Sequence, residues 1–297
     1  MYPLQSMVVK SVKIKGDDAV SIQQSQVDQF KTLGYTVMPE LFTPREVQAF
    51  RADLERLRRE GKFNNVRTEG DSATVSASKM NLQICPLLHH STLSRAVPFH
   101  PRVIDAVSRL IGDPVVLHLD QVFLKPARHG TGTNWHQDNA YFHINNPMLG
   151  TAMWVAVHDA TIANGTLNII PGLAHEKLEH IKDPESNHHI RCYPPEQNAI
   201  AIEVPAGGAV FFCYGVPHCT RANNTDHDRA GLAYHFLHAS CCTDEYTKHN
   251  HPLGTVLSGP QASGGEKEYG VRVAGTWEQE VEKALAPVAA ATSCAAS

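Results

Sequence analysis

Val115-Val116-Leu117-His118-Leu119-Asp120-Gln121-Val122-Phe123 is the stretch at which the chain changes its period. Ahead of it, apolar residues recur every three or four positions, as on a helix face. From residue 115 they alternate, as on a strand with one buried face. Five more runs of this kind follow, at Thr151–Thr161, Thr166–Ile170, Ala199–Val204, Ala209–Tyr214 and Gly231–Leu237, rich in β-branched and aromatic residues. Asn164-Gly165 suits a type I′ hairpin, and Pro205-Ala206-Gly207-Gly208 offers residues that tolerate positive φ. Six or more short strands in about 120 residues predict an antiparallel sandwich or jelly roll. The fold class expected is mainly β with flanking α-helices.

Upstream of this stretch, Gln29–Leu33 reads as a short helix stopped by Gly34, and Tyr35–Met38 as a strand. Thr43-Pro44-Arg45-Glu46 combines a capping box with proline at the first helical position. Val47, Phe50, Leu54 and Leu57 then recur at helical spacing up to Gly61. Pro101 opens another helix, with an apolar face of Val103, Val107, Leu110 and Ile111 and a stop at Gly112-Asp113-Pro114. Downstream, Gly254–Gly270 reads as loop, Thr276–Leu285 as a capped helix and the Ala-rich stretch beyond Pro287 as a disordered tail. No repeat or linker divides the chain. One domain over 1–297 is expected: a mainly helical part at about 20–112, a jelly-roll core at about 113–240, a loop and helix at 241–285, and the tail at 286–297.

The 297 residues carry 26 Lys plus Arg against 30 Asp plus Glu, a formal charge of −4. No basic field is present to draw nucleic acid or an anionic membrane, so neither is expected as a partner. No apolar run approaches the roughly 20 residues that span a bilayer, and the N-terminus lacks the apolar core of a secretory signal. Seven cysteines without a Cys-x-x-Cys pair read as free thiols in a reducing compartment. The expected location is the cytoplasm.

Histidine is in excess, 18 residues, and metal chemistry is the obvious reason to look for. On a strand, residues i and i+2 share a face, so His-x-Asp can offer two ligands to one ion. Two such pairs occur, His118-Leu119-Asp120 and His136-Gln137-Asp138, about as many as chance gives in this composition. The second pair has company. Pro217-His218 follows the strand Ala209–Tyr214, and Arg229 opens the next strand eleven residues beyond His218. A hairpin around the polar loop Ala222–Asp228 would bring Arg229 back beside His218. Two histidines and a carboxylate from different strands form a facial triad suited to Fe(II), with three coordination positions left open. A fixed arginine nearby would hold the far carboxylate of a chelating 2-oxo acid.

Across FLKPARHGTGTNWHQD (residues 123–138), the Trp154 strand, DATIANGTLNIIPGLAH (residues 159–175) and Pro217-His218 with Arg229, the chain resembles the phytanoyl-CoA dioxygenase family of Fe(II)/2-oxoglutarate-dependent oxygenases. The resemblance covers roughly residues 28–240. It implies a double-stranded β-helix, the cupin-like form of the jelly roll, with Fe(II), 2-oxoglutarate and O2 as cofactor and co-substrates. His136, Asp138 and His218 would bind the iron, and Arg229 the distal carboxylate of 2-oxoglutarate. Gln121 and Trp154 match positions lining the co-substrate site, and Thr220 a hydroxyl position that assists the arginine. A further polar contributor is expected at Lys79, Asn81 or Gln83. Halogenating relatives have a small residue in place of the metal carboxylate, so Asp138 points to hydroxylation or a related two-electron oxidation.

Of the remaining histidines, His118 is expected near the iron without binding it, His188-His189 and His249-Asn250-His251 at the surface, and His235 and His238 on the strand and its rim. Tyr141, Phe142 and His143 are candidates to shape the substrate pocket. The loops Asp71–Lys79, Tyr141–Leu149 and Pro184–Gln197 are expected to choose the substrate. The reaction expected is oxidation of an unactivated C–H bond in a small-molecule metabolite, of the kind met in natural-product biosynthesis, with release of succinate and CO2. Three alternatives stay open: an acyl-CoA hydroxylase of the same mechanism, a cupin-like metal oxygenase without 2-oxoglutarate, and a non-catalytic jelly-roll binding module. Nothing in the sequence sets the oligomeric state.

Overall fold

The computed structural model describes residues 5–8, 21–243 and 254–286. The strands are β1 (Gln5–Val8), β2 (Tyr35–Met38), β3 (Asn64–Asn65), β4 (Leu82–Ile84), β5 (Val115–Lys125), β6 (Gly150–Ala156) and β7 (Leu167–Ile169). They continue with β8 (Ile181–Lys182), β9 (Ile190–Arg191), β10 (Ile200–Glu203), β11 (Ala209–Cys213), β12 (His218–Thr220) and β13 (Arg229–His238). Seven strands form one sheet, in the order β2-β11-β6-β13-β5-β4-β3, and four form a second, β1-β10-β7-β12. Strands β8 and β9 make a separate two-stranded ribbon. The two larger sheets enclose a cavity between them, the jelly roll that the alternation predicts.

The helices are α1 (Gln24–Leu33), α2 (Pro44–Arg59), α3 (Thr92–Ala96), α4 (Pro101–Ile111), α5 (Asn139–Phe142), α6 (Glu266–Tyr269) and α7 (Trp277–Leu285). Helix α4 packs on β5, β6 and β13, with Val103, Val107 and Leu110 buried, so it covers the large sheet on the side away from the cavity. Gly34, at φ 81°, stops α1 and turns the chain directly into β2.

Several expectations need correction. The run Thr151–Thr161 leaves the sheet at Ala156. Asn164-Gly165 makes no hairpin: β6 and β7 lie in different sheets, and only Gly165 of the pair has positive φ. The Asn164 side chain instead accepts from Thr161 N and donates to Asp159 O, bracing a crossover between the sheets. The loop after β12 is likewise a crossover, because β12 pairs with β7 while β13 pairs with β5 and β6. Residues 60–91 hold short strands and turns rather than helix. Helix α6 interrupts the expected loop, and the Thr276 hydroxyl at the start of α7 donates back to Val273 O instead of capping. His249, His251 and the Ala-rich tail lie outside the described residues.

One buried carboxylate ties the helical layer together. Glu46, at the third position of α2, completes the capping box by accepting from Thr43 N at 2.6 Å. It also meets Arg102 of α4 at 2.6 Å and Trp277 Nε1 of α7 at 2.7 Å. Burial works to raise its pKa, but hydrogen bonds from His100, Thr43 and Trp277 and the charge of Arg102 outweigh burial and hold it at about 2. A depressed carboxylate stabilises the fold above its unfolded pKa and loses that contribution as pH falls through the folded value. About 3 kcal/mol is expected to disappear between roughly pH 4.5 and 2. Glu46→Gln should lower the melting temperature at neutral pH and flatten the acid limb of a stability–pH curve measured by calorimetry.

Candidate active site

The motif His136-Gln137-Asp138 enters the cavity through a bridge in which His136 N donates to His218 O at 3.0 Å and His218 N to His136 O at 2.9 Å. Alternation then separates the three side chains. Gln137 points away, donating to Glu176 O and Gly215 O at 2.6 Å each, and so anchors the segment. Each imidazole places Nδ1 on a backbone carbonyl two residues earlier, His136 on Asn134 O at 2.8 Å and His218 on Val216 O at 3.0 Å. Those contacts protonate Nδ1 and leave the Nε2 lone pairs pointing inward.

Asp138 Oδ1 lies 3.8 Å from His136 Nε2 and 3.6 Å from His218 Nε2. One ligand atom from each of the three residues lies within 4.8 Å of the others. Burial lowers His136 to about 3 and His218 to about 4, and raises Asp138 to about 6. Asp138 precedes α5 but caps nothing, and its Oδ2 is buried without a hydrogen-bond partner. Two inward lone pairs around an unsatisfied buried carboxylate are a costly arrangement unless a cation completes it. The donor set of two imidazoles and one carboxylate fits iron.

The cavity that opens onto this group has a volume of about 200 Å³. Arg229, fully buried, lines its other end, with Nη2 on Gly165 O at 2.5 Å and the Trp154 ring 5.4 Å from its guanidinium carbon. Lys125 sits directly opposite Arg229 across β5 and β13, and its Nζ donates to Gly165 O at 3.1 Å and Arg221 O at 2.5 Å. Like charges facing each other across strands are destabilising. No carboxylate among the described residues pairs with either cation. Burial lowers Arg229 to about 9; burial first, then the charge of Arg229, puts Lys125 well below its ordinary value. This end is built to receive an anion.

Two glycines make the arrangement possible. A Cβ at Gly231 would meet the Trp154 ring at 2.6 Å, so the indole lies flat over a bare backbone. Gly165, at φ 78°, presses against Arg221 O, where a Cβ would come within 2.0 Å, and its own carbonyl is the one both cations share.

Of the expected site residues, the structure brings His136, Asp138, His218, Arg229, Gln121, Trp154 and Thr220 to one cavity. Among the three N-terminal candidates, Gln83 lines it and donates to Gln121 Oε1 at 2.7 Å. Lys79 is exposed, and Asn81 is buried against Thr133. Arg229 reaches the site across the sandwich, not through a hairpin with His218. His118 packs edge-on against Phe142, 4.5 Å between centroids, while Asp120 accepts from Leu87 N and Leu88 N, so this pair shares no ion. Tyr141 and Phe142 line the cavity; His143, turned left-handed at φ 55°, lines a separate small pocket.

His188 and His189 are a correction. Both line the cavity and His189 is buried, because the β8–β9 ribbon folds over it, with Ile190 N donating to the Tyr141 hydroxyl at 2.8 Å. No residue of the Asp71–Lys79 loop lines it. Two further residues line the cavity: Lys125, and His235, which lies on its strand as expected but is buried inside the site rather than at a rim, 3.6 Å from Asp138 Oδ2. Both were legible by alternation. Lys125 lies two residues beyond Phe123 and four beyond Gln121, and His235 six beyond Arg229, all on cavity-facing positions.

A family model described as phytanoyl-CoA dioxygenase matches residues 30–231. An ectoine dioxygenase of Stutzerimonas stutzeri (strain A1501) is 25% identical over 235 residues, covering 71% of this chain and 76% of that protein. An L-proline trans-4-hydroxylase of Streptomyces griseoviridis is 29% identical over 217 residues, covering 70% and 76%. Among solved structures, the non-heme alpha ketoglutarate dependent carbocyclase SnoK from nogalamycin biosynthesis superposes with a TM-score of 0.64 at 21% identity, covering 81% of this chain and 95% of SnoK. That likeness establishes the fold. No described helix is long and apolar enough to cross a membrane.

Proposed function

The chain belongs to the phytanoyl-CoA dioxygenase family of non-haem iron, 2-oxoglutarate-dependent dioxygenases, and from that premise we propose that it hydroxylates, or otherwise oxidises, an unactivated C–H bond of a neutral, largely apolar small metabolite, of the kind met in natural-product biosynthesis. One observation carries the reading: a buried triad of His136, Asp138 and His218 shares its cavity with two buried basic side chains, Lys125 and Arg229, that pair with no carboxylate among the described residues. Iron bound at the triad would supply the O2 chemistry that converts 2-oxoglutarate to succinate and CO2 and oxidises the substrate.

The side chains divide the remaining work. His136, Asp138 and His218 hold the metal through Nε2, Oδ1 and Nε2. Arg229 and Lys125 bind the distal carboxylate of 2-oxoglutarate, where burial strengthens each charge-assisted contact. Trp154 stacks beneath the Arg229 guanidinium and keeps its fork aimed inward. Thr220 Oγ1 already accepts from Thr133 N at 3.0 Å, which leaves its hydroxyl proton for the same carboxylate. Leu119, Phe123, Phe142 and Ala233 exclude water around the substrate carbon.

The substrate class follows from what is left over. Once Lys125 and Arg229 serve 2-oxoglutarate, no charged side chain among the described lining residues remains for a phosphate, carboxylate or ammonium of the substrate. His188 and His189 offer polar contacts to an otherwise apolar molecule. A panel assay with Fe(II), 2-oxoglutarate and O2, read as succinate formed above background, tests this. Stimulation by neutral apolar metabolites is expected. Stimulation by acyl-CoA esters alone would support the acyl-CoA reading, and substrate oxidation without 2-oxoglutarate would support the cupin-like one.

A further inference from the structure

The two oxygens of Asp138 face different partners. Oδ1 looks toward the Nε2 atoms of His136 and His218, while Oδ2 lies 3.6 Å from Nδ1 of His235. Both Oδ2 and His235 Nδ1 are buried and lack a hydrogen-bond partner. His235 is no fourth ligand: the atoms mutually within 4.8 Å come from His136, Asp138 and His218.

Behind His235 runs a short polar chain. Its Nε2 lies 3.3 Å from Gln121 Nε2, and Gln121 Oε1 accepts from Gln83 Nε2 at 2.7 Å. With its oxygen engaged by a donor, the Gln121 amide presents N–H to His235, so His235 Nε2 accepts and the ring proton resides on Nδ1. Reversing both amides would turn an imidazole lone pair onto the carboxylate oxygen, which is repulsive. Only one direction of the chain therefore suits a carboxylate at Asp138. At 3.6 Å the final contact is longer than a hydrogen bond, and neither atom has another partner.

We propose that His235 is a positioning residue for the metal: its Nδ1–H, oriented by Gln83 and Gln121, donates to Asp138 Oδ2 and restricts Asp138 to one metal-facing oxygen, Oδ1. A carboxylate held by one oxygen keeps its second out of the coordination sphere and leaves the remaining positions for co-substrate and O2. This assignment rests on the iron reading given above.

The test is titration of the full chain with Co(II) in the absence of 2-oxoglutarate, followed by calorimetry and by the Co(II) absorption spectrum. His235→Leu is expected to weaken binding 10- to 100-fold and to alter the spectrum. His235→Asn, whose amide N–H replaces Nδ1–H, should stay within a few-fold of the parent. Gln121→Leu, which frees the ring to choose its tautomer, should weaken binding by at least threefold. Parental affinity in folded His235→Leu overturns the proposal, as does His235→Asn binding no better than His235→Leu. If His235→Leu does not fold, Gln121→Leu decides: weakened binding supports the proposal, unchanged binding overturns it. A parent protein that binds no divalent metal overturns the iron reading itself, and the proposal with it.

Discussion

Asp138→Asn is expected to abolish metal binding and turnover while making the metal-free protein more stable. The substitution keeps size and shape, so packing is unchanged and the readouts isolate the charge. Loss of activity should reach at least about 10³-fold, equivalent to about 4 kcal/mol of transition-state stabilisation. The stability gain arises because Asp138 Oδ2 is buried without a partner and Oδ1 faces two imidazoles with inward lone pairs. Replacing that carboxylate with a neutral amide removes an uncompensated desolvation cost of about 1–3 kcal/mol. Differential scanning calorimetry with chelator present should show a higher midpoint for the variant, and addition of Fe(II) or Co(II) should stabilise the parent alone. A metal-binding carboxylate gives opposite signs for stability and activity. A structural one would lose both.

Arg229→Met should raise the KM for 2-oxoglutarate by about 10²–10³-fold, consistent with the 2–5 kcal/mol that truncating one partner of a buried charged contact costs. At saturating co-substrate, kcat should fall much less, because Arg229 lies at the far end of the cavity from the triad. Lys125→Met should raise the same KM by a smaller factor, since Lys125 Nζ already spends two of its donors on Gly165 O and Arg221 O. Both variants are expected to fold, for each removes one of two like charges that face each other directly across β5 and β13. Equal KM values for parent and Arg229→Met would mean that the co-substrate carboxylate binds elsewhere.

Much of this was legible because local periodicity is strong where one face of a strand is buried. The change of period at Val115 located β5 and the strands after it, and the capping box at Thr43 fixed the start of α2. The triad residues and Arg229 were legible as types at particular spacings. Pairing between strands was not, because the sequence between two strands does not state whether the chain turns back or crosses to the opposite sheet. Asn164-Gly165 illustrates this: its composition suits a tight turn, yet the Asn164 side chain serves the crossover. His188 and His189 read as surface because their neighbours are polar; it is the β8–β9 ribbon, folded over the cavity and tied to Tyr141, that buries His189. Residue type alone does not mark Lys125 or His235 as part of the site, since a single lysine or strand histidine carries no signal of the face it occupies. Counting in twos from Gln121 and Arg229 places both on the cavity face.

Anaerobic binding of 2-oxoglutarate to the Fe(II)-loaded chain, followed by exposure to O2, tests directly whether the triad and Arg229 form one dioxygenase site. One Fe(II) and one 2-oxoglutarate should bind per chain, with succinate and CO2 formed only after O2 is admitted, and none of this in Asp138→Asn. Failure of the parent to bind Fe(II), or 2-oxoglutarate binding that is indifferent to Arg229→Met, would contradict that assignment.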